Sequence, residues 1–123
     1  MLQTIKFDYQ IKRPKLLENN VFVLYSPERL KFKPGEKKMV DMKLNIKFST
    51  NITGSCNLLL RLSNAGLCLQ NSNHLSGNTN LHFEILNSNM TQTVEIKSRH
   101  EIGYFIPDNV GTEIKYEYVK END

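Results

Sequence analysis

The residues able to do chemistry are few and scattered. The three histidines, His74, His82 and His100, fall on different stretches, and none stands at ligand spacing to another His or to a Cys. Each therefore reads as a surface or structural histidine, not a metal ligand. The two cysteines, Cys56 and Cys68, lie twelve positions apart, which is neither a zinc pattern nor a CxxC redox motif. They read as two buried small hydrophobes in a reducing compartment, with a disulfide as the alternative. There is no GxGxxG, Walker loop, GxSxG or HExxH. The longest polar stretch, Gln70 to Asn80, contains no carboxylate, the group a hydrolase needs to activate water. Asn51-Ile52-Thr53 and Asn89-Met90-Thr91 match the glycosylation acceptor, a pattern an Asn-rich chain produces by chance. The residues alone point to no catalytic, cofactor or metal site.

The elements that would position any site are strands. Val40, Met42, Leu44, Ile46 and Phe48 alternate with Asp41, Lys43, Asn45 and Lys47. A period of two marks a strand with one face in a core and one in water. Leu30 and Phe32 alternate with Lys31 and Lys33 before Pro34-Gly35. Pro34 presets the first corner of a turn and Gly35 accepts the positive φ of a type II turn, so a hairpin is expected here. Further strands are expected at residues 2–11, 21–25, 58–62, 67–69, 81–85, 93–97 and 102–106, and in the tail from Thr112 to Val119, where Ile114, Tyr116 and Tyr118 alternate with charges. Ser49 to Ser55 and Gln70 to Asn80 read as polar turn and loop. No stretch holds a 3.6 period over ten residues. The expected architecture is all-β, nine or ten short strands in two layers. Besides the long strand, Leu58, Leu60, Leu62, Phe83, Ile85, Val94, Ile96, Ile102 and Ile106 are expected inside.

At 123 residues the chain reads as a single domain, residues 1–123, with an N-terminal strand and connection over 1–20 and a C-terminal extension over 108–123. It has no apolar run long enough for a membrane span, and Asp8 interrupts the segment a signal peptide would need. An intracellular protein, not secreted by its own signal, is expected. The net charge is +3, but residues 1–48 carry eleven bases against five acids while the rest is net −3. Most of those lysines sit on polar strand faces with few aromatics among them, so a solvated face is expected and a nucleic-acid partner is not.

The order of these segments resembles the dUTPase family over about residues 21–107. Val23-Leu24-Tyr25-Ser26 resembles its first motif, usually Tyr-Asp-Leu-Tyr-Ser. Lys33-Pro34-Gly35-Glu36 resembles its Pro-Pro-Gly turn, and Arg61 to Leu67 its Arg-Ser-Gly-Leu segment with residues inserted. Leu81 to Asn87 sits where the family has an apolar strand ending in Asn. Arg99 to Ile106 resembles the segment Gly-Asp-Arg-Ile-Ala-Gln-Leu. The resemblance implies a dUTPase-like β-clip fold, a distorted jelly roll or sandwich of short strands. It also implies trimers with sites between subunits for active members.

The departures from that pattern bear on activity. The metal-linked acid of the first motif is replaced by Phe22 or Val23. The loop that should carry the stacking Tyr and the water-activating Asp is Gln70–Asn80, which has neither. The segment Lys115 to Glu121 has no glycine where a Gly-rich arm would close over phosphates. Arg61 remains as a weak anion-contact candidate. The chain is similar to degenerate viral relatives such as the baculovirus telokin-like protein, which implies a non-enzymatic, protein-binding role, without cofactor, in the cytoplasm or nucleus of a host cell. A monomer or weak oligomer is expected, with a trimer as the family analogy. The alternatives are a divergent nucleotide-hydrolysing enzyme using acids such as Asp41 or Glu84, and a small structural β-sandwich of a particle.

Overall fold

The computed structural model describes residues 3–71, 73–108 and 113–121. Along the chain lie β1 (Gln3–Tyr9), β2 (Lys15–Leu16), β3 (Phe22–Tyr25), β4 (Leu30–Phe32), β5 (Lys37–Phe48) and β6 (Thr53–Leu58). A one-turn helix α1 (Leu60–Asn64) follows, then β7 (Leu67–Leu69), β8 (His74–Ser76), β9 (Asn78–Asn87), β10 (Val94–Ile96), β11 (Glu101–Pro107) and β12 (Ile114–Lys120). One five-stranded sheet has the order β12-β1-β5-β9-β7, the other β2-β3-β11-β6-β8, and β10 pairs with β4 in a two-stranded ribbon. Twelve strands among the described residues exceed the nine or ten expected. The surplus comes from pieces of two or three residues, such as β2 and β8, too short to carry a period. The ends of the expected first and last strands, at Leu2 and Thr112, and of the expected C-terminal extension, at 109–112 and 122–123, lie outside the described residues.

The core is where the two large sheets face each other. Phe7 of β1 meets Phe22 of β3 with ring centroids 4.9 Å apart and Phe105 of β11 at 5.8 Å. Phe48 reaches Phe105 from β5, also at 5.8 Å. Such tilted and edge-on pairs favour the aromatic quadrupoles beyond the area they bury. In β5 the expected alternation holds: Val40, Met42, Leu44, Ile46 and Phe48 are all buried and Lys43 and Lys47 are exposed.

The Pro34–Gly35 turn forms as expected, with Gly35 at φ 74° and the Glu36 N–H donated to the Lys33 carbonyl at 3.0 Å. It does not close a hairpin. β4 pairs with β10, whereas β5 pairs with β1 and β9. A type II turn twists against the right-handed twist of paired strands and splays them, so it serves as a corner between sheets.

Five other expectations are corrected. Residues 58–62 are not a strand: β6 ends at Leu58 and α1 begins at Leu60. Leu58 and Leu62 are buried while Leu60 is 73% exposed, because a spacing of four fits one helical face as well as an alternation of two fits a strand. Gln70–Asn80 is not a plain loop. Leu75 is buried, its strand β8 pairs with β6, and β9 begins at Asn78. One inward side chain suffices to anchor a three-residue strand. Ile106 is 36% exposed, because a register irregularity between Glu101 and Gly103 places Ile102 and Gly103 both inside and shifts the later alternation by one. Val94, expected inside, is half-buried. The expected turn over Ser49 to Ser55 ends early, because β6 begins at Thr53 and pairs there with β8, with Gly54 inward.

Asn87, at the end of β9, ties the corners together and is fully buried. Its Nδ2 donates to the carbonyls of Phe32 at 3.1 Å, Lys33 at 3.2 Å and Gln92 at 2.9 Å, and its Oδ1 accepts the Asn89 N–H at 3.0 Å. Its backbone exchanges bonds with the Pro-Gly turn: Gly35 N–H to Asn87 O and Asn87 N–H to Glu36 O, both 2.9 Å. Removing the amide takes a donor from the buried Phe32 carbonyl and from the part-buried Lys33 and Gln92 carbonyls, and strands the Asn89 N–H. Asn87→Ala is therefore expected to lower stability by about 3 kcal/mol or more in urea melts, and a loss near zero would show that water replaces the amide. Leu44→Ala is expected to cost about 2–5 kcal/mol and Lys43→Ala no more than about 0.5 kcal/mol. Equal losses would put the faces of β5 the wrong way round.

Candidate functional site

The acids that could serve chemistry stand on the outer face of the first sheet. Asp41 on β5 lies opposite His82 on β9, and Met39 lies opposite Glu84. Each carboxylate already has a base. Glu84 is 2.9 Å from the Lys37 ammonium. Asp41 lies 3.4 Å from the Lys43 ammonium and 3.9 Å from His82 Nε2.

The position of Asp41 is set by a bulge. Asp41 pairs with His82 and Asn45 with Asn80, so Met42, Lys43 and Leu44 together face Leu81. Lys43 takes φ 54°, unusual for a residue with a Cβ. Asp41 Oδ1 accepts the Lys43 backbone N–H at 3.0 Å, and the Lys43 carbonyl accepts the Gln10 N–H at 3.1 Å. The Lys43 N–H donated to Asp41 holds that carboxyl below the usual carboxylate range, with the Lys43 ammonium and His82 acting in the same direction. A depressed pKa makes Asp41 a poor proton acceptor near neutrality and fits it to hold the bulge. The bulge borders a polar cleft of ≈ 520 Å³, lined also by Asp8, Asn45, Asn78 and Asn80.

Arg61 is exposed in the last turn of α1, and its Nη2 donates to the Glu101 carbonyl at 3.0 Å. It thereby ties the helix to the start of β11, and among the described residues no ion pair joins it to Asp41 or Glu84. The former loop region is held by Asn71, whose Nδ2 donates to His82 O at 2.7 Å and whose Oδ1 accepts the Glu84 N–H at 3.1 Å. An Asn used as a substitute strand partner leaves no signature in a polar stretch.

His74 lies on β8, His82 on β9 and His100 in the turn before β11. No three His, Cys, Asp or Glu among the described residues converge on a point that could hold a metal. Both cysteines carry free thiols. Cys56 is buried as expected, and burial pushes its thiol up to about 12. Cys68 is not: it lies exposed, on the outward position between Leu67 and Leu69 in β7. None of the described helices is long and apolar enough to cross a membrane.

A second cleft, of ≈ 650 Å³, went unread in the sequence. It lies between β2 and β12 and gathers Tyr25, Tyr116 and Tyr118 with Lys12, Arg13 and Lys15. The Lys12 Nζ sits 4.0 Å from the centroid of the Tyr25 ring and the Arg13 guanidinium carbon 3.6 Å from that of Tyr118. The tyrosine rings continue the aromatic core: Tyr116 is 4.8 Å from Phe22 and Tyr118 is 5.5 Å from Phe7, centroid to centroid. The aromatics come from the far end of the chain, so no local pattern of interleaved bases and rings announced them. The alternation of Ile114, Tyr116 and Tyr118 was the only available signal.

No protein-family model matches the chain, and no curated protein matches it. Solved structures do. Against the Staphylococcus bacteriophage 80alpha dUTPase with dUPNHPP the TM-score is 0.76 at 11% identity, over 88% of this chain and 83% of that one. A mutant dUTPase of phage phi11 of S. aureus, whose structure details a structural Mg(II) ion, gives 0.75 at 11% identity, over 88% and 92%. The EIAV dUTPase gives 0.71 at 16% identity, over 84% and 86%. Identities this low speak for the fold alone. With its strand order, its Pro-Gly corner and its strand ending in Asn87, the chain has an all-β, dUTPase-like fold.

Proposed function

We propose that this chain is a non-catalytic protein on a dUTPase-like fold that acts by binding another protein. The observation that carries the reading is the state of its acids. Asp41 and Glu84 are each matched to a lysine on an outer sheet face, and the 70–80 segment offers none. In-line attack of water on a nucleoside triphosphate needs a carboxylate to orient the water and metal-bound charge to neutralise phosphate. Arg61, bonded to a backbone carbonyl, is a structural tie in this reading. The second reading is a divergent hydrolase, and the Asp41–His82 pair beside the polar cleft is the observation that favours it.

The purified protein is expected to hydrolyse dUTP no faster than a no-enzyme control, with or without magnesium. Turnover above that control that disappears in Asp41→Asn or Glu84→Gln would promote the hydrolase reading. A chain with no shared active site to complete has one reason fewer to keep a tight trimer. Light scattering at micromolar concentration is expected to give a monomer or a weak oligomer, and a stable trimer would contradict this.

A further inference from the structure

β12 is the outermost strand of its sheet, and the lateral opening of the sandwich runs beside it. Its only partner among the described strands is β1, in parallel register from Gln3↔Ile114 to Tyr9↔Lys120. The Glu113 carbonyl accepts from Gln3 and the Glu121 N–H donates to Tyr9, so the odd-numbered residues of this segment turn their backbone groups toward β1. A residue's N–H and C=O point to the same side of a strand, and that side alternates. The backbone groups of Tyr116 and Tyr118 therefore face the open edge. Those two residues also put their rings into the cleft beside that edge. Opposite them stands β2, likewise an edge strand of its sheet. Three bases, Lys12, Arg13 and Lys15, line the cleft, and no carboxylate does. All three bases are exposed.

An open edge offers main-chain hydrogen bonds to an added strand, and pockets beside the edge select its alternate side chains. Here the pocket is aromatic and carries only positive side-chain charge. We propose that β12 receives an extended acidic peptide segment of a partner protein, which adds as a strand. The segment bonds to the backbone of Tyr116 and Tyr118 and directs alternate carboxylates toward Lys12, Arg13 and Lys15. Stacked on tyrosine rings, Lys12 and Arg13 are held over the cleft yet keep their charge for a carboxylate. The rival use of the same bases is to guard the edge against pairing of any kind.

This proposal rests on the protein-binding reading above and names its site and partner class. The probe is a capped ten-residue peptide alternating Glu and Val, with a Lys-Val peptide as control. Titration of the ¹⁵N-labelled protein at about 0.15 M salt is expected to give saturable shifts at the amides of Tyr116, Tyr118 and Lys120, and slowed hydrogen exchange there. The Lys-Val peptide is expected not to bind. The exposed double variant Lys12→Glu, Lys15→Glu is expected to bind the acidic peptide at least about tenfold more weakly and to accept the basic one. Circular dichroism checks that the variant is folded. No shift at these amides up to about 1 mM peptide, equal binding of both peptides, or an unchanged affinity in the double variant would overturn the proposal. So would sedimentation showing that the edge is closed by a second copy of the chain. dUTP turnover would defeat the binding reading without altering the peptide result, so the two failures are distinguishable.

Discussion

The amide of Asn87 is the constraint on which the geometry of this molecule depends. Two amide hydrogens serve three carbonyls, from β4, from the Pro-Gly corner and from the turn after β9. The Lys33 and Gln92 carbonyls belong to chain between strands, beyond the end of the β4–β10 ladder. The Lys33 carbonyl has a second donor in the Glu36 N–H, whereas the buried Phe32 carbonyl and the part-buried Gln92 carbonyl lean on the amide more heavily. One buried side chain thus pins a corner whose own residues, Lys33 to Gly35, lie at the surface. Gly66 approaches the same knot so closely that a Cβ there would lie 2.9 Å from that of Asn89, and its φ of 114° also calls for glycine. The corner is therefore specified by residue chemistry more than by hydrophobic pattern.

Much of the fold was legible in the sequence wherever a strand was long and had one wet face. β5 is the clearest case, since nine residues of alternation, Val40 to Phe48, leave one solution. Leu58 to Leu62 shows where legibility stops. Five residues rich in leucine fit a helical turn and a strand equally, and the choice falls to tertiary context. The corner after Pro34 was legible as a turn but not as a change of sheet, because turn chemistry is local and strand pairing is not. Ile106 was lost to a bulge three residues upstream, whose one residue signature is Gly103, a glycine inside a strand pattern.

The candidate sites were legible only in part. Asp41 and Glu84 were visible as acids, but the lysines that match them come from the register of β5 with itself and with β9. The tyrosine cleft depends on β12 lying next to β1, a contact between opposite ends of the chain. Absence of carboxylate from 70–80 was plain at once, whereas the order imposed there by Leu75 and Asn71 was not.

The bulge in β5 holds two surplus residues, not one, and this bears on how the chain tolerates changes in length. A single residue added or deleted before Leu44 must be absorbed by reshaping the bulge, as two neighbouring inward residues absorb one in β11, or Leu44, Ile46 and Phe48 turn out to solvent. A step of two leaves every later side chain on its own face and alters only the loop carried by Lys43. The same arithmetic makes the bulge a place to splice a short hairpin without disturbing the packing on either side.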